Sequence, residues 1–122
     1  MSDQVIILGS ILADWADGIR EHRPEAVAAL FAGDAVFQGF DRAHTVGRPA
    51  VAAYYDKQPV GLDVQYRIQE SRSFGEDAFI AFVDVDFIRP SGEVIPTHLT
   101  LALVRTGGEW LIQQYHVSKI DA

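Results

Sequence analysis

The sequence predicts an α+β fold in which three N-terminal helices pack on one face of a curved, mostly antiparallel sheet. Up to residue 57, the chain carries several stretches with apolar residues at helical spacing. After Gly61, apolar and polar residues alternate with the period of two that is typical of strands. Turn signals at 89–93 and at Gly107-Gly108 separate these stretches. Helices followed by hairpin-connected strands favour a single α+β layer arrangement over a parallel sheet.

Three segments are predicted to be helices. Residues 3–21 carry apolar side chains at three- and four-residue steps. Residues 24–32 begin with a proline, which suits a first helical turn, and end before Gly33, which can adopt the left-handed conformation that stops a helix. Residues 48–57 form the third helix, which ends before Pro59.

The strands follow from alternation and from turn residues. The short apolar and aromatic run at 35–40 predicts a first strand, and residues 42–46 a loop. Longer strands are predicted over residues 62–69, 78–88, 94–105 and 110–117.

Composition and charge exclude several classes of function. The 17 acidic and 10 basic residues leave a net charge of −7, which repels a phosphate backbone, so we expect no nucleic-acid partner. The absence of Cys removes thiol nucleophiles and thiolate metal sites. No phosphate-binding glycine loop, dinucleotide fingerprint or serine-hydrolase elbow is present in the sequence. We therefore expect neither a cofactor nor a metal.

Residues 1–122 are expected to form one cytoplasmic domain with no membrane partner. A secretory signal needs a basic start, whereas here Asp3 precedes the apolar residues 5–8 and Asp14 follows soon after. The longest uncharged N-terminal stretch, residues 4–13, is far shorter than the roughly 18 residues of a membrane-spanning helix.

Several motifs carry a family resemblance: Leu30-Phe31-Ala32-Gly33-Asp34-Ala35-Val36-Phe37, Gly47-Arg48-Pro49-Ala50-Val51-Ala52-Ala53-Tyr54-Tyr55, Gly108-Glu109-Trp110 and Tyr115-His116-Val117-Ser118. Over residues 8–118 the chain resembles the nuclear-transport-factor-2-like superfamily, and its SnoaL-like and SgcJ/EcaC-type bacterial branches in particular. The resemblance implies a cone-shaped α+β barrel that encloses a pocket for a small-molecule ligand. It also implies a homodimer made through the outer face of the sheet.

Ketosteroid isomerases share the fold that this resemblance implies, and their chemistry uses a Tyr, an Asp base and a protonated Asp. Counted from Asp34, these positions fall on Trp15, on Gly39 and on Leu101 or Ala102. None of these side chains can replace a phenol or a carboxyl. We therefore expect no steroid isomerase of that type.

His116 is the leading candidate for a general acid or base, because imidazole titrates near neutral pH. The resemblance implies that this position faces the pocket, and alternation places it on one face with Ile112 and Gln114. His98 shares that face if the loop at Gly107-Gly108 has an odd number of residues, whereas a two-residue loop puts the two histidines on opposite faces. A hydrogen-bonded structural His116 is the alternative.

Asp84 and Asp86 point to one face of an otherwise apolar strand. If the following turn is symmetrical, Asp84 lies opposite His98, where its carboxylate can orient the imidazole and join a catalytic group. The alternative, which we favour, is an exposed or dimer-facing surface on which both carboxylates pair with Arg67 or Arg72.

Aromatic residues on the helices and on the first strand predict an apolar pocket wall with a few polar tips. The predicted lining is Trp15, Phe31, Asp34, Phe37, Gln38 and Tyr54. Four further aromatic residues are assigned to strands whose outer face forms the dimer interface: Tyr66, Phe79, Phe87 and Tyr115. Two functions fit these features. One is an isomerase, cyclase or hydratase that uses acid/base catalysis, and the other is a non-catalytic ligand-binding or dimeric association module.

Overall fold

A computed structural model of the protein describes residues 3–120. The three helices are α1 (Asp3–Arg20), α2 (Pro24–Ala28) and α3 (Arg48–Asp56). The six strands are β1 (Phe31–Gln38), β2 (Thr45–Val46), β3 (Asp63–Ser73), β4 (Ala78–Ile88), β5 (Val94–Thr106) and β6 (Glu109–Lys119). They form one sheet in the order β2-β1-β6-β5-β4-β3, in which β1 and β6 are parallel and the other neighbours are antiparallel. The predicted α+β class is confirmed.

The helices cover one face of the sheet, which we call the inner face. The inner face of β4 consists of alternate residues, all buried: Phe79, Ala81, Val83, Val85 and Phe87. The apolar side of α1 is buried in the same core, with Leu8, Leu12 and Trp15 almost inaccessible. Burying each large apolar side chain stabilises the fold by about 1.5–3 kcal/mol, so this shared core fixes the face on which the helices lie.

The opposite face of the sheet, which we call the outer face, carries the side chains that alternate with the buried ones along each strand. On β4 these residues are Ile80, Phe82, Asp84 and Asp86, all of them at least partly exposed. They mix apolar and charged side chains, which no described element covers.

The second predicted helix, residues 24–32, is wrong in its last part. It ends at Ala28 because the chain then joins the sheet: the backbone N–H of Ile112 donates to the carbonyl of Leu30 at 2.9 Å. Gly33 lies within β1 and does not terminate a helix. The predicted loop at 42–46 contains the short strand β2, and the other predicted elements are confirmed with ends shifted by a few residues.

The hairpin between β5 and β6 turns in two residues, as the sequence indicates. Leu103 pairs with Ile112, but the preceding residue of β5, Ala102, pairs with Gln114. Gln113 is therefore the extra residue of a β-bulge. Because side chains alternate with a period of two, one extra residue turns all later side chains of β6 to the other face.

The bulge decides which side chains share a face. Ile112 is buried on the inner face, whereas His116 is exposed on the outer face, so the predicted common face of Ile112, Gln114 and His116 is wrong. A regular two-residue hairpin would place His98 and His116 on opposite faces. With the bulge, both lie on the outer face.

Candidate functional site

A cavity of about 50 Å³ lies between α3 and the inner face of the sheet. Tyr54 and Tyr55 line it from α3, and Tyr115 lines it from β6. The remaining lining comes from the segment after β1, the loop after α3 and the β4–β5 hairpin: Phe40, Gln58, Pro59, Leu62, Phe87, Arg89 and Ile95. Aromatic walls with a few polar groups are typical of sites for small molecules.

Hydrogen bonds position the polar groups at the base of this cavity. The indole N–H of Trp15 donates to the Tyr55 hydroxyl oxygen at 3.0 Å. Because an indole N–H can only donate, the oxygen of Tyr55 accepts there and its own O–H is left to donate elsewhere. The phenol of Tyr115 lines the same cavity, and a hydrogen bond between the two phenols opposes the rise that burial causes in the pKa of Tyr55 and adds to the rise in that of Tyr115.

The phenols of the cavity are neutral donors at physiological pH. Burial raises the pKa of Tyr55 above its ordinary value near 10, although contacts with Tyr115 and Trp15 offset part of the shift. Burial and the neighbouring Tyr55 raise the pKa of Tyr115 well above the same value. Burial also raises the pKa of Tyr54, and the Phe40 backbone amide offsets part of this.

Gly39 allows Tyr54 to reach the cavity wall. A Cβ at Gly39 would lie 2.4–2.5 Å from ring and hydroxyl atoms of Tyr54, closer than side chains approach one another. The Tyr54 ring also packs edge-on against Phe37, with centroids 4.9 Å apart. Gly39 occupies the position where ketosteroid isomerases carry the Asp base, counted from Asp34. In this protein the glycine leaves room for the Tyr54 ring.

The structure places the six predicted pocket residues in different surroundings. Tyr54 lines the cavity, and Trp15 lies beneath it as the hydrogen-bond donor to Tyr55. The others lie outside this cavity, as follows. Phe31 lies in the core, and Phe37 stacks on Tyr115 with centroids 4.5 Å apart. Asp34 is exposed and accepts a hydrogen bond from the Gln113 side chain at 2.9 Å. Gln38 lies opposite His116 where β1 pairs with β6.

Four aromatic residues assigned to the outer face lie on the inner face instead. Phe79, Phe87 and Tyr115 are buried, and Tyr66 packs edge-on against Trp15 with centroids 6.5 Å apart. That assignment is wrong because the apolar phase of β3 and β4 faces the helices, and because the bulge at Gln113 turns Tyr115 inward. The alternation of β4 already indicated that Phe87 shares a face with the other apolar residues of the strand. Nothing in the sequence indicated that Tyr115 faces inward.

The acidic pair and His98 lie together on the outer face. Asp84 pairs with His98 across β4 and β5, and the His98 Nδ1 to Asp84 Oδ1 distance is 2.9 Å. Arg67 Nη1 lies 3.7 Å from Asp86 Oδ2. The predicted opposition of Asp84 and His98 is confirmed. The predicted pairing of both carboxylates with Arg67 or Arg72 is found for Asp86 alone, because Asp84 contacts His98 and Arg72 contacts Glu70.

His116 stands apart from the cavity, exposed and paired with Thr100 of β5. It lies diagonally from His98, which pairs with Ser118. Within residues 3–120, no three side chains of His, Cys, Asp or Glu lie close enough together to share a metal ion. In the same residues, no helix has the length and apolar character needed to cross a membrane.

The curved sheet with helices on its inner face is the fold of the nuclear-transport-factor-2-like superfamily. Within this class, the chain belongs to the SnoaL-like domain family, whose sequence model matches residues 8–122. The resemblance inferred from the sequence is confirmed. A search among curated proteins returns no match.

Solved structures show the same fold at low sequence identity. A ketosteroid isomerase-like protein from Erwinia carotovora atroseptica is 22% identical, with full coverage of both chains and a TM-score of 0.81. An NTF2-like protein from Novosphingobium aromaticivorans is 19% identical over 96% of this chain and 82% of its own, with a TM-score of 0.83. A domain of unknown function from Nostoc punctiforme is 18% identical over 98% and 78%, with a TM-score of 0.84.

Proposed function

We propose that this protein binds a small, ring-bearing molecule in the cavity without transforming it. Tyr54, Phe87 and Tyr115 supply aromatic walls, which suit a planar ligand. The phenols of Tyr55 and Tyr115 hydrogen-bond to each other, so one neutral O–H of this pair is left for an oxygen or nitrogen acceptor on that ligand.

The observation that carries this proposal is the chemistry of the lining. The described residues around the cavity include no His, Asp or Glu. Its phenols stay protonated, because burial raises the pKa values of Tyr54, Tyr55 and Tyr115. A general base works best when its pKa lies near the working pH, and these groups do not meet that condition. The arrangement therefore favours binding over proton transfer.

Entry of a ring requires one side chain to move. A cavity that holds benzene measures about 150 Å³, three times the roughly 50 Å³ found here. Phe40, partly exposed between β1 and β2, packs edge-on against Phe87 with centroids 5.9 Å apart. The Lys119 ammonium lies 4.8 Å from the Phe40 ring centroid. Phe40 is the wall residue that we propose swings out.

Binding is tested with benzamide, a neutral ring that carries hydrogen-bond acceptors, by calorimetry and NMR. Tyr115→Phe removes one lining hydroxyl and is expected to weaken binding about fivefold, the effect of about 1 kcal/mol from one hydrogen bond. Tyr66→Phe is the matched control, because Tyr66 packs on Trp15 outside the cavity. Phe40→Ala is expected to strengthen binding. Failure of both wild type and Phe40→Ala to bind would overturn the proposal.

Acid/base catalysis is a second candidate function, favoured by the 2.9 Å contact between His98 and Asp84. In this reading His98, Asp84 and His116 act on a substrate held at the outer face. A ligand captured by native mass spectrometry of protein from its own source is incubated with the chain and followed by NMR. Turnover that is lost in His116→Ala and retained in Tyr115→Phe supports catalysis, whereas an unchanged ligand supports binding alone.

We also propose that two copies pair through the outer face. Phe82 is 44% exposed and Val94 52% exposed on that face. Partly buried aliphatic neighbours extend the apolar area: Ile80, Ile88, Ala102, Val104 and Leu111. Buried apolar area drives association, so Phe82→Arg is expected to convert a dimer to a monomer in light scattering. Val60→Arg, at a 75% exposed Val in the loop after α3 and off the sheet, is the control and should leave the mass unchanged.

A further inference from the structure

The β4–β5 hairpin places one charged side chain at the cavity. Of the described residues that line the cavity, Arg89 alone carries a formal charge at neutral pH. The whole chain has a net charge of −7, so the positive charge of Arg89 is opposite in sign to that of the protein as a whole. A cation beside an aromatic cavity attracts an anionic ligand.

Arg89 differs from the arginines that hold the fold together. Arg20 donates to the carbonyl of Val64 at 2.8 Å as well as to Asp63, and Arg48 donates to the carbonyl of Phe31 at 2.7 Å. The side chain of Arg89 has one partner among the described residues, Glu93, with 3.3 Å between Nε and Oε1.

The hairpin does not need that ion pair. The backbone N–H of Arg89 donates to the carbonyl of Glu93 at 2.9 Å, and the N–H of Gly92 donates to the carbonyl of Arg89 at 2.8 Å. Both side chains are more than half exposed, and exposed ion pairs contribute little to stability. The guanidinium is therefore free to exchange Glu93 for another anion.

We infer that the ligand of this cavity is a small ring-bearing carboxylate, and that its carboxylate displaces Glu93 from Arg89. This inference rests on the binding function proposed above. Guanidinium and carboxylate are both planar and form two parallel hydrogen bonds, and the present partner of Arg89 is itself a carboxylate. A phosphate would bring a second negative charge for which the lining supplies no second cation.

Glu93 then acts as an internal competitor, which predicts opposite effects for the two members of the pair. Glu93→Gln removes the competing carboxylate and is expected to strengthen benzoate binding several-fold. Arg89→Gln removes the receiving cation and is expected to weaken it about tenfold, as loss of a charge-assisted pair does. Benzamide has the same shape without the charge, so its affinity should change far less in both variants.

The test measures the affinities of benzoate and benzamide for the wild type and for both variants by calorimetry, with thermal unfolding as the check on folding. Arg72→Gln is the matched control. Arg72 also has a carboxylate partner, Glu70, with 2.7 Å between Nη2 and Oε1, but it does not line the cavity. A wild-type preference for benzoate that rises in Glu93→Gln and vanishes in Arg89→Gln is the expected result.

The remaining outcomes separate this inference from the function on which it rests. If benzamide binds and benzoate has no advantage, the carboxylate inference is wrong and the proposed binding function stands. If Glu93→Gln and Arg89→Gln shift benzoate affinity in the same direction, Glu93 is not a competitor and the inference is also wrong. If neither probe binds the wild type or Phe40→Ala, both proposals are wrong.

Discussion

The inner and outer faces of β4, β5 and β6 belong to the same strands but use their polar groups differently. On the inner face, polar atoms belong to large aromatic residues such as Tyr115, and Trp15 donates to Tyr55 there. On the outer face, they belong to partly or fully exposed carboxylate and imidazole groups such as those of Asp84 and His98. The carboxylate and imidazole groups lie outside, and the cavity is left with neutral phenols and the Arg89 guanidinium. Residue type alone is therefore a poor guide to the position of a site in this fold.

The largest expected difference between the two faces comes from two adjacent residues. Tyr115→Ala is expected to lower the free energy of unfolding by about 3–5 kcal/mol, because it empties a fully buried aromatic site. His116→Ala, one residue further and on the outer face, is expected to change it by less than about 0.5 kcal/mol. Urea unfolding at one protein concentration measures both. Similar losses in the two variants would contradict the placement of the bulge.

Two glycines of the same segment give the next comparison. Gly39→Ala is expected to cost about 1–3 kcal/mol and to displace Tyr54, because the new methyl group overlaps the Tyr54 ring. A Cβ at Gly33 meets nothing within 4 Å, so Gly33→Ala should be neutral or slightly stabilising. Thermal unfolding gives the stabilities, and Tyr54 ring signals in NMR report the displacement. Equal effects at both positions would show that Tyr54 does not fill this space.

The buried phenols make the inner face sensitive to alkali. Because burial raises the pKa values of Tyr55 and Tyr115 above the ordinary value of about 10, the stability they contribute is complete below that pH and is lost as pH rises above it. Each buried phenol is expected to add a slope of at most about 1.4 kcal/mol per pH unit. Tyr115→Phe should reduce the slope of unfolding free energy against pH. An unchanged slope would contradict the neutral, buried Tyr115.

The smallest effect is expected at the Asp84–His98 contact of the outer face. Asp84→Asn removes the carboxylate that contacts His98 and is expected to change the free energy of unfolding by less than about 1 kcal/mol, because both side chains contact solvent in the single chain. Asp86→Asn, two residues along the same face, is the control. A loss above about 2 kcal/mol in Asp84→Asn alone would indicate that a second copy buries the pair.

Much of the fold follows from local patterns. The helical spacing of Leu8, Leu12 and Trp15 predicted α1, and strict alternation predicted β4 with its observed bounds. The opposition of Asp84 and His98 followed from a symmetrical turn. These features depend on periodicity and on short-range turn geometry, which the order of residues records directly.

The lining of the cavity could not be predicted from local patterns, because it depends on strand register and on contacts between distant segments. The bulge at Gln113 turns Tyr115 inward and His116 outward, and it arises where β6 pairs with β1 and β5 together. Arg89 reaches the same cavity as Tyr54 although they belong to a hairpin and a helix far apart in the chain. The sequence by itself therefore determined the class of fold, most elements and the family. Only the tertiary structure decided which residues meet, because strand register and side-chain direction depend on pairing between distant segments.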